Sequence, residues 1–333
     1  MTNIFPEAAQ LNWDKNTSSI VLSQDQIMKL AELYREKYPE EMHILDITGV
    51  SPFWTKEMTN PYTKVIDTED FSNVGRHCVS VGFAASKIAD AMIEKGLITQ
   101  NTKEEIIKTA LLHDGDKRLE VMRKKAKNAW VRDTDGNSID VYGEAWYKTI
   151  ESVFSEKWLD PQILGTIKTM GGMTAHNSTK NFLVIDNWQL VINPERTLAE
   201  MIVHIADDMT HSSTGVHTET TTYVSFEDRA RLWDFEKRYS FLWQEGFSVS
   251  SRGITPIKNI DTYILDNEDE VHHFYDWMKI TFEMICQNLQ QKLSPESNEI
   301  SVVFMVWLVN TSVHSLQKDI GASVQQTLIQ NTL

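Results

Sequence analysis

The feature that most constrains this chain is a histidine set into the apolar face of a helix. In residues 73–96, NVGRHCVSVGFAASKIADAMIEKG, the spacing of His77, Val81, Ala84, Ala85, Ile88 and Met92 predicts one helical face, and Gly96 suits its C-terminal cap. A titratable ring on a packed stripe must find a partner inside the fold, because a buried polar group left unsatisfied costs about 1–3 kcal/mol. Taken alone, His77 reads as a core histidine bonded to a backbone carbonyl. Its company argues for more.

Two further stretches carry the same type of residue inward. KEEIIKTALLHDGDK, residues 103–117, predicts a helix with acidic residues in its first turn and Ile106, Ala110, His113, Asp114 and Lys117 on one stripe. PERTLAEMIVHIADDMTH, residues 194–211, predicts another, with Pro194 near its first turn and a wide apolar arc. Imidazoles and carboxylates on three inward-facing helices are what a divalent cation requires. Asp207 and Asp208 fall at opposite edges of the arc made by Leu198, Ala199, Met201, Ile202, Val203, Ile205 and Ala206, so periodicity does not choose between them.

The ordered set RHCVSVGFAASKIA, TALLHDGDK and VHIADDMTH resembles the HD-domain metal-dependent phosphohydrolase superfamily over roughly residues 74–210. A bare His-Asp doublet is weak; the apolar LL before it and the AD-containing helix behind it make the set stronger. The resemblance implies an all-α fold, an HD-domain helical bundle. It implies a divalent metal ion (Mn, Mg, Co, Ni or Fe) held by His77, His113, Asp114 and the Asp directly after the Ala, which is Asp207, with Asp208 in reserve. The implied activity is hydrolysis of a phosphomonoester or phosphodiester, by family weight that of a nucleotide, by a metal-activated water that Asp114 also orients.

HDGDK matches the family's His-Asp-x-x-Lys version of the doublet, which makes Lys117 a candidate to hold a phosphate oxygen. The plain alternative is a solvated lysine opening the run KRLEVMRKKAK. Arg76 can touch phosphate or form a surface ion pair. His176, after GGMTA, stands where some relatives hold a second metal and reads as a substrate contact or second-metal ligand. Those relatives supply two further histidines at separate positions, whereas His204 lies three residues before Asp207, so one metal is favoured. Two rivals stand beside this reading. A di-iron HD-type oxygenase needs six ligands and only five are nameable; a non-catalytic HD-domain regulator would use the helices of 226–293 and the C-terminal tail to bind a partner.

With 333 residues and 41% hydrophobic content, the chain can bury a substantial core. The expected organisation is an N-terminal arm and helix over 1–70, an HD-domain core over 71–245, and a C-terminal helical extension over 246–333. Acidic residues outnumber basic ones 47 to 32, and the net charge of -15 argues against broad nucleic-acid binding while leaving a small anionic phosphorylated substrate. Cys78 and Cys286 are far apart, with neither metal-ligand spacing nor a disulfide framework, which fits a reducing cytoplasm. The start MTNIFPEAAQLNWDKN has no basic and apolar leader pattern, and the longest apolar run, VVFMVWLV at 302–309, is too short to span a bilayer. No membrane association is expected, and a homo-oligomer is left open.

Elsewhere, residues 1–22 read as an irregular arm and Ser23 caps a helix that stops before Pro39. Residues 226–245 and 268–293 read as amphipathic helices, with a loop and a short strand between them. In DTDGNSIDVYGE, Asp133, Asp135, Asn137 and Glu144 hold the first, third, fifth and twelfth places of a calcium loop. Ser138 stands where that loop needs Gly and Asp140 where it needs an apolar residue, so a polar Asp-Gly turn is the better reading.

Overall fold

The computed structural model describes residues 20–53, 71–115, 117, 131–132, 138–139, 183–187, 189–214, 219–223, 246–250, 253–257, 262–265 and 268–293. Helix predominates among them, as expected of an all-α chain. Small antiparallel sheets are added to that expectation.

Helix α1 (Gln24–Lys37) starts where Ser23 caps it. The Ser23 hydroxyl accepts from the Gln26 N–H, and the Gln26 side chain accepts from the Ser23 N–H in return. The chain then turns at Tyr38, and Pro39, which has no N–H to lose, opens α2 (Pro39–Thr48). Helix α3 (Ser72–Glu94) carries the His77 stripe and ends as its Gly96 predicts. Gly96 has φ 70°, its N–H donates to Ile93 O, and Leu97 N–H donates to Met92 O at 2.9 Å.

Helix α4 (Gln100–Leu112) corrects the expected span at both ends. Thr99 caps it by accepting from Thr102 N–H, so it begins before Lys103. It does not run on through Lys117. At His113–Gly115 the bonding tightens, with Gly115 N–H donating to Leu112 O and Lys117 N–H to Asp114 O. Gly115 is a poor helix former at that break. Helix α5 (Leu198–Asp208) likewise starts later than Pro194, because Thr197 and Glu200 form a reciprocal cap.

The sheets account for the remaining corrections. β1 (Ile20–Ser23), the end of the expected irregular arm, pairs with β7 (Glu219–Tyr223), which pairs with β6 (Thr210–Thr214). The expected helix to 211 therefore gives way at Thr210 to a strand. β8 (Gly246–Ser250), β9 (Gly253–Ile257) and β10 (Glu270–His273) form a second sheet, so the expected helix from 268 is a strand before it becomes α6 (Phe274–Leu293). β4 (Leu183–Asp186) and β5 (Gln189–Ile192) form a hairpin turning at Asn187, φ 48°. β2 (Val131–Arg132) pairs with β3 (Ser138–Ile139), which sets Ser138 opposite Arg132; residues 133–137, where the Asp-Gly turn is expected, lie outside the described residues.

The core joins these elements. Val81, Ala85 and Ile88 of α3, Ile107 and Leu111 of α4, Ile202 and Ile205 of α5, and Ile285 and Leu289 of α6 belong to one buried cluster. The first sheet is fastened to α3 by polar contacts: Tyr223 donates to the Ser80 carbonyl at 2.8 Å, and the Ser80 and Thr221 hydroxyls are 3.0 Å apart. Among the described residues no helix is long and apolar enough to cross a membrane.

Candidate metal centre

Helices α3, α4 and α5 pack on one another and bring their polar residues to one place. His77 leaves α3 in its second turn, His113 and Asp114 follow directly on the end of α4, and Asp207 lies in the last turn of α5. One ligand-type atom from each of His77, His113 and Asp114 lies within 4.8 Å of the others, and these three can hold a metal ion. No other such group of three occurs among the described residues. The His77 and His113 ring centroids are 5.3 Å apart. Asp207 Oδ1 lies 2.8 Å from His77 Nε2 and 3.7 Å from His113 Nε2.

The hydrogen-bond inventory gives the cluster its chemical character. His113 is fully buried, and its Nδ1–H donates to the Ala110 carbonyl at 2.7 Å, which leaves Nε2 turned toward the carboxylates. That Nε2 has no hydrogen-bond partner, and neither has the buried Asp114 Oδ1. Asp114 Oδ2 stands 4.0 Å from His113 Nε2. Buried polar atoms without a partner on two consecutive residues are unusual unless a further group completes them.

Charge is organised accordingly. Burial would raise the Asp207 carboxyl, but the adjoining His113 and His77 imidazoles outweigh it and hold the group well below the usual carboxylate range. Burial would lower His113, yet Cys78, Asp207 and Asp114 around it prevail and hold it well above the ordinary imidazole value. His204, one turn before Asp208 and 3.6 Å from its Oδ2, goes the other way: burial drives it down to about 4, so it is neutral at pH 7.

The remaining candidates separate. Asp207, not Asp208, faces the two imidazoles; Asp208 is turned to His204. Arg76 is engaged with protein groups, its Nε donating to Pro52 O and an Nη to Ser72 Oγ. Lys117 is half-buried at the turn after Asp114. His176 lies outside the described residues. Sequence reasoning missed Cys78, read only as a cysteine without metal spacing; it is buried against His113, a contact that depends on how α3 meets α4.

Comparisons with family models, with curated proteins and with solved structures find no match to the chain. Fold and site together define a mostly helical protein with a partly buried His/Asp cluster that could hold a metal ion.

Proposed function

We propose that the chain is an HD-type metal-dependent phosphohydrolase that cleaves a phosphomonoester or phosphodiester, with a nucleotide as the favoured substrate. The observation that carries this reading is the pair of buried, unpartnered atoms His113 Nε2 and Asp114 Oδ1 beside His77 and Asp207. A cation would give both atoms a partner once His113 releases its Nε2 proton. Mixed imidazole and carboxylate donors suit Mn, Mg, Co, Ni or Fe.

When bound, a divalent ion supplies Lewis-acid polarisation of a phosphoryl oxygen and a lowered pKa for water. The protein's own residues do the rest. Ala110 O fixes the tautomer and orientation of His113 through Nδ1–H. Asp207, kept ionised by the imidazoles, offsets the charge of a cation. Asp114 orients the attacking water and takes its proton, and Lys117, just past that carboxylate, offsets charge developing on the phosphoryl oxygens. Arg76 is assigned no phosphate contact, because its guanidinium already serves Pro52 and Ser72.

The test is metal analysis of the purified protein followed by phosphate release from a nucleotide panel with each of the five metals. Metal-dependent turnover that falls at least about 100-fold in Asp114→Asn supports the reading. Undiminished turnover in that variant, or none with any metal and substrate, sinks it. Two irons per chain would instead favour the oxygenase chemistry.

A further inference from the structure

The first turn of α3 sits unusually close to the segment that follows α2. A methyl group on Gly75 would stand 2.0 Å from the Val50 carbonyl oxygen, 2.5 Å from the Pro52 nitrogen and 2.7 Å from Pro52 Cδ. Two of those atoms are backbone, so no side-chain rotation relieves the overlap. Only glycine permits this approach.

Arg76, the next residue, ties the same segment down. Its Nε donates to Pro52 O at 3.3 Å and an Nη to Ser72 Oγ at 2.8 Å. From the other side the segment is held by Val50 N–H donating to Leu45 O at 3.0 Å. The Arg35 guanidinium lies 3.8 Å from the Phe53 ring centroid while bonding both Asp46 oxygens. His77 follows this seat directly, and its Nε2 meets Asp207 from there.

We propose that Gly75 and Arg76 are positioning residues of the metal centre, locking the first turn of α3 onto Val50–Pro52 and so fixing His77 against Asp207. This rests on the reading of His77 as a metal ligand. Metal–ligand distances tolerate deviations of only about 0.2 Å, so a shift of α3 by a fraction of a methyl diameter is felt at the ion although neither residue touches it. Arg76 acts here as a tether to the backbone.

The experiment measures Mn2+ affinity of the full chain by calorimetry, and the Mn2+ electron paramagnetic resonance spectrum, for five proteins. They are wild type, Gly75→Ala, Arg76→Met, Arg76→Lys and Leu289→Ala, the last a core truncation on α6 that lowers stability away from the seat. Gly75→Ala is expected to bind about 10-fold or more weakly with an altered spectrum, Arg76→Met several-fold more weakly, and Arg76→Lys between Arg76→Met and wild type. Leu289→Ala is expected to melt earlier but bind within about twofold of wild type. Wild-type affinity in both Gly75→Ala and Arg76→Met, or an equal loss in Leu289→Ala, overturns the proposal. Should Gly75→Ala not fold, the Arg76 pair decides alone. A wild type that binds no Mn2+ removes the ligand reading, and this inference with it.

Discussion

His77 Nε2 and Asp207 Oδ1 stand 2.8 Å apart across 130 residues of sequence, and this contact closes α3 onto α5. Its neighbour Asp208 is turned instead to His204. Two adjacent carboxylates therefore serve different partners, and removing either charge has a different consequence.

Asp207→Asn keeps the size of the side chain but loses its charge, and metal affinity is expected to fall at least about 100-fold; Asp208→Asn is expected to weaken it less than about tenfold. Titration calorimetry on the two variants checks this. Equal losses, or the reverse order, would remove Asp207 from the ligand set.

Metal binding is expected to release a proton. In the metal-free protein His113 is held well above the ordinary imidazole range, so near pH 7 it carries a proton that must leave before Nε2 can bind an ion. Asp207 is held low and is already ionised. The sign is then fixed: affinity rises with pH, by up to about tenfold per unit while His113 stays protonated. Calorimetry in two buffers of different ionisation enthalpy is expected to show about one proton released per ion, and a result of none contradicts the charge state assigned to His113.

The contact from β7 to α3 has a stability consequence separable from the metal. Tyr223 is buried and donates to the Ser80 carbonyl, so Tyr223→Phe removes a satisfied hydrogen bond and leaves the ring in place. A loss of about 1 kcal/mol is expected in urea unfolding, with metal affinity unchanged. A variant as stable as wild type would show that the bond adds nothing to folding.

The parts of the site that follow a single helical period were open to sequence reading. Val81, Ala84, Ala85, Ile88 and Met92 on the His77 stripe and Ile106, Ala110 and His113 on the other are buried as the 3.6-residue repeat requires, because each depends only on neighbours three or four residues away, whereas His77, Asp114 and Lys117 are half-buried. Asp207 and Asp208 were not separable in this way. Both sit at the edge of one arc, and what distinguishes them is the presence of α3 and α4 on one side. The strands escaped for a related reason: β1 is short and finds its partner at Tyr223, some two hundred positions on, while the Thr-rich β7 offers no apolar alternation. The starts of α4 and α5 differ from the expected ones because the Thr99 and Thr197 caps prevail over the Lys103 and Pro194 signals. The approach of Val50 and Pro52 to Gly75 depends on tertiary packing that no local pattern encodes.

The break after Leu112 gives α4 the role of a ruler. Successive helical residues stand about 100° apart, and His113 keeps helical backbone angles at the end of α4 (φ -58°, ψ -34°), so the helix sets the direction in which the doublet leaves it. Adding or removing one residue between Thr99 and Leu112 would rotate the doublet by the same angle and move it about 1.5 Å along the axis, away from His77. The length of α4 thus sets the direction of the doublet: substitutions on its exposed face leave that direction unchanged, and a change in the number of its residues does not.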